Sequence, residues 1–122
     1  MGGGGASSKG ASRAPNGYRT VKKVGRTPAI RSNKGQGLPI KATSKAKVYR
    51  IDNKGKISQY RRYDKKGNAS IDVDWSHGHN GIPRGTPHIH IWKNGIRGDG
   101  RRLTPYEMKK YHKIIERGIN EK

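Results

Sequence analysis

The stretch DVDWSHGHNGIPRGTPHIHIW, residues 72–92, decides how the rest of the chain is read. Both of its ends alternate: Val73 and Trp75 against Asp72 and Asp74, then Ile89 and Ile91 against His88 and His90. Alternation with a period of two marks a half-buried strand, because successive side chains point to opposite faces. Between the ends, Gly81, Pro83, Gly85 and Pro87 predict a turn-rich connection. Two such strands, paired antiparallel, put Asp72, Asp74, His88 and His90 on one face of a sheet. Four of the five histidines lie in this stretch, with His77 and His79 in the connection. Histidine titrates closest to neutral pH of all side chains and is a common metal ligand, so the clustering predicts a site.

The same pattern extends to either side. Lys47 to Asp52 places Tyr49 and Ile51 opposite Arg50, and Lys56 to Asp64 gives a second strand. Ala69 to Trp75 and His88 to Trp92 are the third and fourth. Asn53-Lys54-Gly55 and Lys65-Lys66-Gly67-Asn68 are short turns between them, so neighbours pair as an antiparallel meander. Residues 94–100 form a glycine-rich turn that lacks the Gly-Lys-Ser/Thr ending of a phosphate-binding loop. A helix follows over about residues 105–117. Thr104 and Glu107 are spaced as a capping box, Pro105 suits the first helical position, and Met108, Tyr111 and Ile115 share a face. Gly118 reads as a left-handed stop, with Ile119 returning to Ile114.

The predicted fold is therefore α+β: a four-stranded antiparallel meander sheet with the C-terminal helix packed on one face. That face is expected to be Ile71, Val73, Trp75, Ile89 and Ile91. The histidines and aspartates are expected on the other, exposed face. Residues 1–37 read as a flexible basic leader or linker, disordered ahead of a folded unit at 38–122. They open with a Gly/Ser run, carry scattered Lys and Arg, and show no apolar periodicity.

Composition narrows the function. Twenty-eight Lys and Arg against eight Asp and Glu give a formal charge of +20, which favours polyanionic partners, nucleic acid first. Without Cys there are no disulfides and no thiolate zinc sites. No apolar run is long enough to span a bilayer, and the N-terminus lacks a signal-peptide core.

Two chemistries suit the histidines. In metal-free RNA cleavage one imidazole takes the 2′-OH proton and another donates to the leaving 5′-oxygen, with a cation steadying the phosphate. His88 and His90, with His77 or His79 across the loop, supply the acid–base pair. Asp72 or Asp74 orients an imidazole, and Arg61, Arg62 and Arg84 are candidate phosphate contacts. The second chemistry needs no change of residues: two His-x-His pairs with Asp72 or Asp74 can converge on zinc or another divalent metal. The first reading requires no cofactor. His112, between Lys110 and Lys113 on the helix, is expected to face solvent.

Tyr49-Arg50-Ile51-Asp52, Tyr60-Arg61-Arg62-Tyr63-Asp64-Lys65-Lys66-Gly67-Asn68, Asp72-Val73-Asp74-Trp75 and Pro87-His88-Ile89-His90-Ile91-Trp92 together resemble a C-terminal toxin domain of bacterial polymorphic toxins. The resemblance covers about residues 38–117. It implies a nuclease, often an RNase of the barnase–EndoU–colicin–RelE type, acting on RNA such as tRNA or on other nucleic acid. It also implies delivery from a bacterium into a target-cell cytoplasm and a cognate, acidic immunity protein. Such domains follow a large delivery protein, whereas this chain starts at Met1, as an excised domain or a small free-standing relative would. A non-catalytic nucleic-acid-binding protein is the other class that the charge supports.

Overall fold

A computed structural model describes residues 16–35, 37–75, 82 and 85–120. In chain order the strands are β1 (Tyr18–Val24), β2 (Thr27–Ser32), β3 (Lys47–Ile51), β4 (Ile57–Tyr63), β5 (Ala69–Asp74), β6 (His88–Lys93), β7 (Ile96–Arg97) and β8 (Arg101–Arg102), followed by helix α1 (Pro105–Asn120). They form one eight-stranded sheet in the order β1-β2-β3-β4-β5-β6-β7, with β8 also paired to β6. The four strands expected from alternation are β3 to β6, and each pairs antiparallel with its neighbour.

Two expectations are corrected. The sheet has eight strands where four were expected, and part of the segment expected to be a disordered basic arm supplies β1 and β2. An edge hairpin needs few apolar residues. Val24, Ala29 and Ile30 are buried, while most of the basic residues of β1 are exposed, so no long apolar period exists to be read. Second, β2 and β3 run parallel, with Ala29 opposite Tyr49 and Ile30 opposite Arg50. Parallel neighbours need a crossover rather than a tight turn, and residues 33–46 provide it.

Cross-strand register explains both faces. Ala29, Tyr49, Tyr60, Val73 and Ile89 are successive partners and form one apolar row. Tyr111 and Ile115 of α1 cover this row, joined by Trp75, Ile71 and Ile91. The face expected for the helix is the one it occupies. Tyr49 Oη donates to the Ile114 carbonyl at 2.7 Å and Trp75 Nε1 to the Ile57 carbonyl at 3.2 Å, so these two buried polar groups are satisfied.

The capping box forms as expected: Glu107 Oε1 accepts from the Thr104 N–H at 2.9 Å, and Thr104 Oγ1 from the Glu107 N–H at 3.2 Å. Gly118 departs from expectation, for the helix continues through it to Asn120. A Cβ there would lie 2.6 Å from Trp75 Cζ2, so this glycine serves a close approach to the sheet rather than a stop. Met108 and Ile119 are exposed.

The opposite face was expected to be open. It carries a second core of Ile30, Leu38, Ala46, Val48, Tyr63 and Ala69, and the crossover residues Leu38, Ala42 and Ala46 pack there. Gln59, Arg61, Asp72, Asp74, His88 and His90 on that face are buried with it.

Candidate functional site

Two polar rows cross this second face. Arg50, Gln59, Asp74 and His88 are successive cross-strand partners, and so are Val48, Arg61, Asp72 and His90. Alternation places these rows side by side. Asp72, Asp74, His88 and His90 therefore meet, as expected, but at 0, 1, 0 and 2% exposure, which corrects the expected open surface.

Asp74 is the centre of the group. Its Oδ2 lies 3.5 Å from His88 Nε2, 3.5 Å from His90 Nε2 and 2.8 Å from an Arg97 guanidinium nitrogen. The imidazole rings stand edge to face, 5.3 Å between centroids. His90 Nδ1 is 2.8 Å from the Gly98 carbonyl; if that nitrogen carries the proton, it donates there and leaves Nε2 to face Asp74. Asp74 Oδ1 has no hydrogen-bond partner among the described residues.

Asp72 does a different job. Arg61 binds it through two nitrogens, and Arg97 Nε adds a third bond at 2.8 Å. Burial by itself would raise the Asp72 pKa, but the hydrogen bonds and charge of Arg61, with Arg97 and the Trp92 indole, hold it below its ordinary value. Burial likewise opposes the charged form of Arg61, and Asp72 more than offsets it.

The expected phosphate contacts are redistributed. Arg61 is buried against Asp72, donates to the Leu38 and Pro39 carbonyls at 3.1 and 3.2 Å, and stacks over Trp92 at 4.9 Å. Its three guanidinium nitrogens are all bonded within the fold. Arg62 points to the helix side, where it reaches the Tyr111 hydroxyl at 3.3 Å. His77, His79 and Arg84 lie outside the described residues. His112 is exposed on α1, as expected.

Arg97 is a site residue that the sequence reading misses, though a signal for it exists. Asn94-Gly95 is a strong hairpin pair, and both residues have positive φ, 53° and 78°. That turn folds β7 back so that Arg97 opposes Trp92, on the face of His88 and His90. With 36% of its side chain exposed, Arg97 links the buried group to solvent.

Fold and site together define a small basic α+β domain built around a buried histidine–carboxylate–arginine cluster. Residues 21–116 match the family described as bacterial toxin 24, and the chain belongs to that family. The match begins inside β1, in the segment whose composition resembles a basic arm. No curated protein and no solved structure matches the chain. Among the described residues no helix is long and apolar enough to cross a membrane.

Proposed function

We propose that this toxin domain is a nuclease that cleaves RNA, with His88 and His90 as the acid–base pair. The observation that carries the reading is the convergence of both imidazoles and Arg97 on one Asp74 oxygen. One imidazole removes the 2′-OH proton as that oxygen attacks phosphorus, and the other protonates the departing 5′-oxygen. Arg97 steadies the charge that builds on the phosphate. Asp74 holds the imidazoles in place. Burying this many ionisable groups in a small domain is costly, and buried, paired groups of this kind concentrate at functional sites. Because Arg97 is the member that reaches solvent, the substrate enters beside it and its phosphate meets the guanidinium there. The formal charge of +20 favours a polyanionic substrate and an acidic immunity protein as inhibitor. The toxin family fits delivery into a target cell.

A second reading has its own observation. One ligand atom each from Asp74, His88 and His90 lie within 4.8 Å of one another, which suits a transition metal with open positions. Arg97 at 2.8 Å from Asp74 Oδ2 opposes a cation there, leaving Oδ1 as the better carboxylate ligand.

The test is cleavage of total RNA, tRNA and plasmid DNA by the purified domain, with and without EDTA. His88→Asn and His90→Asn should each lower RNA cleavage by about 10²–10⁴. His112→Ala should leave it unchanged. Full activity in both folded histidine variants would remove the assignment, and loss of wild-type activity in EDTA, restored by zinc or magnesium, would install the metal reading.

A further inference from the structure

A cleft of about 680 Å³ opens at the ends of β2 and β3, away from the histidine cluster. Its size falls in the range of about 300–1,000 Å³ typical of small-ligand sites. Three arginines line it, Arg19, Arg31 and Arg50, with Tyr18, Asn33 and Asn53. The charges are poorly balanced. Arg19 and Arg31 are direct cross-strand partners, an arrangement in which like charges repel. Arg31 donates to the Asp52 carbonyl at 3.1 Å. Asp52 is the one acid of the lining among the described residues, and its Oδ1 already accepts the Lys54 and Lys56 backbone N–H groups at 2.9 Å each. The side chains of Arg19 and Arg50 make no hydrogen bond or ion pair among the described residues, although Arg50 is half buried.

We propose that this cleft is an anchoring subsite for single-stranded RNA, in which Arg19, Arg31 and Arg50 hold backbone phosphate. The proposal rests on RNA being the substrate and extends it to a second point of attachment. Guanidinium groups pair with phosphate through two parallel hydrogen bonds, so an anion between Arg19 and Arg31 replaces repulsion with attraction. The Tyr18 ring, packed on the second core with its hydroxyl donating to the Gly37 carbonyl at 2.6 Å, presents its remaining surface to the cleft, and the asparagine amides offer donors and acceptors to a base. Register ties the cleft to the histidines. Arg19 and Arg31 alternate with Ile30 onto the helix-side face, and the cleft wraps the end of the sheet between them and Arg50. Arg50, Gln59, Asp74 and His88 form one cross-strand row, so Arg50 stands on the same face as His88, three strands away. At about 4.8 Å per strand that is roughly 14 Å, a span that a few nucleotides bridge. An acidic immunity protein is the competing occupant. A concave site with aromatic and amide groups fits a nucleotide better than the broad surface a protein partner covers.

The test measures binding of a labelled 2′-O-methyl RNA, which lacks the attacking hydroxyl, to the whole domain in EDTA. The double variant Arg19→Gln, Arg50→Gln is compared with Lys109→Gln, Lys113→Gln, which removes the same charge from the exposed side of α1. The cleft variant should bind at least about tenfold more weakly and flatten the salt dependence by about one logarithmic slope unit for each phosphate no longer held. The helix variant should change far less. Since the Arg19 and Arg50 side chains carry no internal bond, the cleft variant should melt at or above the wild-type temperature. Equal weakening in both variants, or none in the cleft variant, overturns the proposal. Should the cleft variant fail to fold, photo-crosslinking of thiouridine RNA to the wild-type domain decides: peptides containing Tyr18 or Asn33 support the subsite, and crosslinks confined to other surfaces overturn it. If the wild type cleaves no RNA yet the cleft variant alone loses binding, the subsite stands and the nuclease reading falls. If cleavage is present but binding ignores the cleft, the reverse holds.

Discussion

Asp72 faces two guanidinium groups with no measurable exposure to water. Removing one partner of such a buried pair leaves a charge without compensation, which costs about 3–5 kcal/mol. Asp72→Asn should therefore lower stability by about that amount in urea denaturation at neutral pH. Its pH dependence carries a sign. Arg61 and Arg97 depress the Asp72 pKa in the folded state despite burial. The stabilisation is complete above the unfolded carboxylate value of about 4 and is lost as pH falls through the lower folded value. Wild type should lose stability more steeply than Asp72→Asn as the pH drops below about 4. Identical slopes would show that Asp72 titrates alike in both states. Burial also governs the choice of variants at the histidines. Alanine at either position empties buried space, so asparagine, which keeps polarity and fills more of that space, separates activity from folding more cleanly.

At the level of single elements, α1 combines a start set by local sequence with an end set by the sheet. Thr104 and Glu107 satisfy each other's backbone N–H groups, and Arg101 pairs with Glu107 at 2.8 Å, which with the cap holds the Glu107 pKa down at about 2. Near the other end, Gly118 lies under the Trp75 and Tyr49 rings. In an isolated helix, Gly→Ala gains about 1 kcal/mol. Here the new methyl would meet Trp75 Cζ2 at 2.6 Å, and Trp75 is held by its bond to the Ile57 carbonyl. Gly118→Ala should lower stability by about 1–3 kcal/mol and the melting temperature with it. A higher melting temperature would show that the ring yields and that helix propensity prevails.

Across the whole molecule, the β1–β2 hairpin joins both cores: Val24 and Ala29 belong to the helix-side core and Ile30 to the other. Deleting residues 1–32 should therefore abolish the cooperative thermal transition followed by circular dichroism, because it opens both layers and bares β3 as an unpaired edge. A truncated chain that still melts cooperatively near the wild-type temperature would restore the reading of this segment as a dispensable arm.

Strands β3 to β6 and the start of α1 are legible in the sequence because their determinants are local: alternation of two, and a cap that closes within one helical turn. The same local rule brings Asp72, Asp74, His88 and His90 to one face without reference to any distant residue. It could not say whether that face met water. Long-range closure decided it, since Leu38 and Pro39 are more than twenty residues from Arg61 in sequence yet receive its hydrogen bonds. The role of Arg61 followed from that burial: a charge deprived of water must find a carboxylate, and Asp72 stands opposite it on the next strand. Arg97 and the β1–β2 hairpin likewise depend on what lies beside them in space. Periodicity specifies which side chains point together; only the folded chain specifies what covers them.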